Sequence, residues 1–386
     1  MNKNLLLVTS VLSGGLILGI TAFTPAASSP DNTPPIARSA TGATTLPIPA
    51  PAIRAAATKG LSLLEKSGYL FTMRSTLKCA GCHHNSLTSM AAAIARKKDI
   101  PVTDSFTRYR IEATERSLTN ACNPNLISEF LNINFPTSYF LLSLEADGYK
   151  PNFSTDIAVD YLISQALPDG RFITETGRIP LQTGEIHLTA FAIRAIQLYA
   201  SAARAERVQQ LVAKTRQWLE QTHPDQQQEL TFKLLGLQWC GGAPDEKKRT
   251  AATLLAMQNP DGGWSQTPVF RSDAYATGQS LYALYESGML RPEDPAYQKG
   301  IAWLLKTQDA DGAWVVASRS FPIQPYFNSD FPPYDENQFI SASASNWAVM
   351  ALLNALPDST PPPPTPPSGT NPMPSLPDPN PRYCSI

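Results

Sequence analysis

One formula recurs at four helix ends along this chain and limits what the chain can fold into. Tyr161–Gln165 runs into Pro168-Asp169-Gly170, and Trp218–Gln221 into Pro224-Asp225. Leu254–Gln258 leads to Pro260-Asp261-Gly262-Gly263-Trp264, and Leu304–Gln308 to Asp311-Gly312-Ala313-Trp314. The glutamines at 165, 221, 258 and 308 stand 56, 37 and 50 residues apart. A helix-to-turn unit repeated at such a period implies stacked hairpins that bury a common core, not independent domains.

The apolar pattern between the turns is helical. In Leu188–Tyr199 the residues Leu188, Phe191, Ala192, Ala195, Leu198 and Tyr199 fall at three- and four-residue steps and form one stripe. Helices are expected near 53–67, 86–98, 103–119, 137–147, 155–165, 185–200, 204–220, 226–238, 244–257, 273–287, 294–306 and 338–355. Gly68, Gly148 and Gly288 are the expected left-handed stops for three of them. Paired in order, the twelve helices make six hairpins in one all-α domain, 53–356.

The two ends cannot join that core. Residues 1–27 read as a signal peptide: Lys3, an apolar run from Leu5 to Ala22, and small residues at Ala26 and Ala27. An uncleaved anchor is the alternative, and it is the only route to a membrane that the sequence offers. Residues 28–52 form a Pro/Ala/Ser-rich spacer and 357–386 a Pro-rich disordered tail, since proline removes backbone donors and blocks regular packing. The expected location is periplasmic or secreted. A net charge of -1 with no basic cluster argues against a nucleic-acid partner.

Two of the echoes, Gln258…Gly262…Trp264 and Gln308…Gly312…Trp314, fit the Gln-x-x-x-Gly-x-Trp (QW) repeat of squalene cyclases. The chain thus resembles the terpenoid cyclase/protein prenyltransferase superfamily, most strongly from about 155 to 355. That resemblance implies an (α/α)6 toroid and an apolar small-molecule ligand. The repeat itself reads as structural: Gln bonding a neighbouring helix start, Gly making the turn, Trp packing over the junction. The family's Asp-x-Asp-Asp acid and its Asp-Asp-x-x-Asp metal clamp are both missing, so whether the chain is an enzyme stays open. Candidate cavity or lid residues are Asp273, Tyr275, Trp347, and Tyr326, Phe327 and Tyr334 of the aromatic loop 321–334. Asp273 also suits a helix cap.

The one sharp chemical motif is Cys79-Ala80-Gly81-Cys82-His83. It fits c-type haem attachment, in which two thiols three residues apart bind the vinyl groups and the following imidazole ligates iron. His83 would be the proximal ligand, with His187, Met90 or Met73 as candidates for the second. This reading expects haem c and a redox partner, with an electron-transfer or sensing role. Zinc held by Cys79, Cys82 and a histidine, with or without Cys122, is a second possibility. A local disulfide or plain structural role is a third. A thioester of the Gly-Cys-x-x-Gln kind is disfavoured, because Asn85 stands where Gln would be needed. Two functions therefore remain: an exported haem c toroid, or a toroid that binds or transforms an apolar terpenoid or lipid. A surface interaction module using the tail is a further option.

Overall fold

In the computed structural model, residues 48–75, 78–121, 133–174, 178–320 and 329–359 are described, and all lie within one unit, Thr45–Ile386. They form twelve α-helices and, among the described residues, no strand. These are α1 (Ala50–Arg74), α2 (Leu87–Lys97), α3 (Asp104–Ala121), α4 (Asn134–Ala146), α5 (Phe153–Gln165) and α6 (Glu185–Tyr199). The second half holds α7 (Ala205–Gln221), α8 (Gln227–Cys240), α9 (Pro244–Ala256), α10 (Ala274–Glu286), α11 (Pro295–Thr307) and α12 (Gln338–Asn354). All twelve expected helices are present. The expected signal, most of the spacer, most of the tail, Cys122, Tyr326 and Phe327 lie outside the described residues.

Composition sorts the helices into two layers. A helix apolar on every side belongs inside, whereas one with a single apolar stripe belongs at the surface. In α12 every residue from Ile340 to Asn354 is buried, as is all of α10 from Ala274 to Leu284 and α4 from Asn134 to Leu144. By contrast α7 buries only Val208, Leu211, Thr215 and Leu219, and α11 only Tyr297, Gly300, Ile301 and Leu304. The six even-numbered helices pack in succession, α2 on α4, α6, α8, α10 and α12, and α12 closes on α2. The odd-numbered helices lie outside this ring. The fold is the (α/α)6 toroid.

The repeated turns fasten the outer layer to the inner one. Gln258 Nε2 donates to Gly262 O (2.9 Å) and to Ala296 O at the start of α11 (2.8 Å), while Trp264 Nε1 donates back to Leu254 O (2.8 Å). Gln308 does the same to Gly312 O and to Ala56 O of α1, both at 3.0 Å, with Trp314 Nε1 on Leu304 O. The glycines are required: Gly262 has φ +95°, and a Cβ there would stand 2.7 Å from Lys299 O. The Trp backbone N–H caps a hydroxyl of the next inner helix, Thr277 or Ser345. The degenerate copy keeps this contact with Phe172 in place of Trp, its N–H on Thr189.

One helix end departs from expectation. Gly68 does not stop α1, which continues to Arg74. Its lack of a side chain lets α1 pass against the His84 carbonyl, which a Cβ would meet at 2.6 Å. Gly148 and Gly288 do take left-handed conformations, with φ +76° and +70°. Among the described residues no helix is long and apolar enough to cross a membrane.

Candidate functional site

The loops leading into the inner helices meet at one end of the ring. Ser320 Oγ donates to Ile179 O, Gln228 Nε2 to Pro180 O, and Arg319 Nε to Gln266 Oε1. The Cys79–His83 motif enters this same mouth just before α2.

Residues Cys82–Ser86 form a π-helical turn, the wide turn that often accompanies a functional site. Asn85 fixes it by accepting the Gly81 N–H (2.8 Å) and donating to Gly68 O (3.0 Å). Asn346 of α12 donates to His83 O. The turn sends the two imidazoles apart. His84 stacks on Phe71, meets Phe331 and Phe339 edge-on, and shares a hydrogen bond with Ser329 Oγ (2.8 Å). His83 lies edge-on to Tyr139 of α4 at 5.5 Å, and both of its ring nitrogens are buried without a hydrogen-bond partner. Buried polar atoms are nearly always satisfied, so this imidazole calls for a partner outside the fold's own bonding.

Below His83 the ring centre is aromatic. Tyr139 Oη and His187 Nε2 are 3.2 Å apart, and His187 stacks on Phe232 at 3.8 Å. Phe191 meets Tyr139, His187 and Phe232. Phe232 of α8 reaches Trp347 of α12 past the intervening α10, with centroids 6.1 Å apart. These rings pack on one another and fill the ring centre. On the α10 side, Tyr275 Oη donates to Gln228 Oε1 (2.9 Å). Gln279, fully buried, lies against the same phenol, and its side-chain hydrogen bond opposes the rise that burial causes there.

The deep groups are neutral at physiological pH. Burial holds the His83 imidazole well below its usual range, with His84, His187 and Arg178 adding to the effect. Burial brings His187 down to about 3 and pushes the Cys82 thiol up to about 12. The Tyr139 and Tyr275 phenols are likewise raised by burial and stay protonated. Charges collect nearer the rim. Burial raises Glu229 to about 7, against the Ile186 backbone N–H and with Glu185 adding. Asp273 is raised by burial to about 6, although Ala276 N–H and Gln266 Nε2 donate to it. Arg319 balances them, half-buried beside Tyr275 and Asp273.

The expected site residues divide accordingly. Asp273, Tyr275 and Trp347 are in the inner ring; Asp273 caps α10, the structural role the sequence allows. Tyr334 is 57% exposed. His187 faces the same mouth as His83. Met90 packs against the core, and Met73 is 39% exposed, its sulfur accepting from Tyr109 Oη. Tyr139, Gln228, Glu229 and Gln279 were not singled out in the sequence, because nothing in their local spacing marks them.

Haem c fits this arrangement in part. His83 offers the unpartnered buried imidazole that an axial ligand needs. The thiols do not lie together: Cys79 faces Ser117 of α3, whereas Cys82 is buried toward Tyr139 and Arg178, and neither is in a disulfide. For zinc, no group of three His, Cys, Asp or Glu side chains converges among the described residues.

Residues 243–360 match the family described as squalene-hopene cyclase C-terminal domain. Among solved structures, the type II terpene cyclase MstE from Scytonema in its apo form is similar, with a TM-score of 0.56 and 13% identity over 80% of this chain and 99% of that one. A variant of MstE in complex with geranylgeranyl dihydroxybenzoate, its substrate, gives 0.52 and 13% over 79% and 98%. A protein from Actinoplanes gives 0.51 and 13% over 78% and 99%. At these identities the likeness establishes the fold. A comparison with curated proteins found no match.

Proposed function

We propose that this chain binds an apolar small molecule of the terpenoid or lipid class in the mouth of its inner ring. The observation that carries the reading is the convergence of buried aromatic faces from α4, α6, α8 and α12 beside the unpartnered ring nitrogens of His83. Such sites are mostly apolar with a few placed polar groups. The similar fold of MstE, which binds geranylgeranyl dihydroxybenzoate, supports the same class of ligand.

The residues suit holding such a molecule better than protonating it. Asp273 accepts hydrogen bonds from Ala276 and Gln266, which stabilise its carboxylate and not the protonated acid. The aromatic faces shield an apolar chain from water and favour any positive charge on it. Native mass spectrometry with C15 to C30 isoprenoids tests the reading: one ligand per chain is expected, and failure of every isoprenoid to bind would overturn it. In the same proposal the N-terminal segment exports the toroid, which N-terminal sequencing of the extracytoplasmic protein checks.

A covalent haem is the second reading, favoured by the two unpartnered nitrogens of His83. It would place His83 on the iron and require Cys79 to leave Ser117; when bound, the group would supply one-electron chemistry. A pyridine haemochrome spectrum of protein matured with the attachment machinery decides it. A haem c band lost in Cys79→Ala would establish this reading, and its absence would remove it.

A further inference from the structure

Outside the ring, α1 and α3 share an aromatic patch that the ligand-binding reading does not use. Tyr69 of α1 packs against Phe106 and Tyr109 of α3, with ring centroids 5.7 and 4.7 Å apart, and all three rings stay partly exposed. Tyr109 Oη donates to Met73 Sδ (2.7 Å), a weak acceptor, and Met73 is itself exposed. A carbonyl oxygen would be the stronger acceptor there. We propose that the patch is a docking site for a polyproline II segment, and that its occupant is the run Pro361–Pro367 of the same chain.

Composition and tether single out that occupant. Thr360 leads into Pro361-Pro362-Pro363-Pro364-Thr365-Pro366-Pro367. Such a run favours polyproline II, a helix of three residues per turn with no internal hydrogen bonds. Pro364 and Pro367 then stand one turn apart on one edge, where aromatic faces can pack on them, while the free carbonyls accept from tyrosine hydroxyls. The residues just before the run are fixed beside the first hairpin. Asp358 pairs with Lys98 (2.7 Å), and Ser359 N donates to Lys97 O (2.9 Å) at the end of α2. Arg54 of α1 donates to Lys98 O, which sets this anchor level with Arg54. Tyr69 lies fifteen residues further along α1, about 22 Å at about 1.5 Å per residue. Residues 360–367 span about 25 Å at about 3.1 Å each, enough to bring Pro364 and Pro367 over the rings. The other proline-rich stretch, 28–52, arrives from elsewhere: Ile48 N donates to Gln298 Oε1 of α11.

Site-specific photocrosslinking of the full chain tests the docking, with p-benzoylphenylalanine in place of Thr365. Irradiation should join the run to peptides carrying Tyr69, Phe106 or Tyr109, within a band of monomer mass. The crosslink should be lost in Tyr109→Ala, and equally in the double variant Pro364→Gly with Pro367→Gly. The double variant alters no residue of the twelve helices, so its loss of crosslink is not a folding defect. Retention of the crosslink in both variants, a crosslink on another face of the toroid, or none at all would overturn the proposal. A crosslinked dimer, in which one copy's run marks another copy's patch, would overturn it too, because the occupant is then a second chain. None of these outcomes bears on the ligand-binding reading of the mouth.

Discussion

At the residue scale, the mouth is built around contacts that tolerate little change. Gly184, the N-cap of α6, has φ +94°, and a Cβ there would stand 1.9 Å from Glu229 Oε1. Gly184→Ala therefore strains the backbone and displaces the carboxylate together; we expect a loss of roughly 2–4 kcal/mol in urea denaturation. Glu229 makes a second prediction. Its carboxyl is raised from 4.5 to about 7, so between those values the folded chain keeps a proton that the unfolded chain releases. Stability from this group is therefore intact below pH 4.5 and lost as pH rises through 7. Glu229→Gln can still accept the Ile186 N–H but does not titrate. Its stability relative to wild type should rise by about 1 kcal/mol from pH 6 to pH 8, measured by denaturation at both. The histidines act in the opposite sense. His84 and His187, lowered from 6.5 to about 3, stay neutral when folded, so stability falls as pH drops below 6.5.

At the element scale, the repeated turn is a clamp between layers. Gln258→Ala removes one hydrogen bond that closes the turn on Gly262 and one that ties it to Ala296 of α11, and should cost about 1–3 kcal/mol. Gln221, at the corresponding end of α7, is exposed, and its alanine variant should stay within about 0.5 kcal/mol of wild type by the same assay. This contrast marks what was legible in the sequence. The full copies announced both the turn and its bonding, because Gln, Gly and Trp each carry a distinct physical role at fixed spacing. Gly68 misled, since a close approach to the His84 carbonyl and a helix stop call for the same residue. Gln279, Tyr139 and Glu229 left no trace: each sits on a separate inner helix, and only ring closure brings them to one mouth. The Cys79–His83 spacing marks a segment that folds as a buried π-helical turn at the start of α2, but spacing alone does not choose among haem, zinc and a structural role.

At the scale of the whole molecule, a closed ring of six inner helices brings Phe232 of α8 against Trp347 of α12 at one centre. Phe232→Ala removes a fully buried ring from that centre and should cost about 3–5 kcal/mol in urea denaturation. In the proposed function the mouth near His83, and no outer surface, receives the apolar ligand. Photocrosslinking with a diazirine analogue of geranylgeraniol, followed by peptide mapping, tests it most directly. Label is expected on the segments carrying Tyr139, His187 and Tyr275, suppressed by excess geranylgeraniol. Saturable label confined to the outer helices α5, α7, α9 or α11 would contradict it.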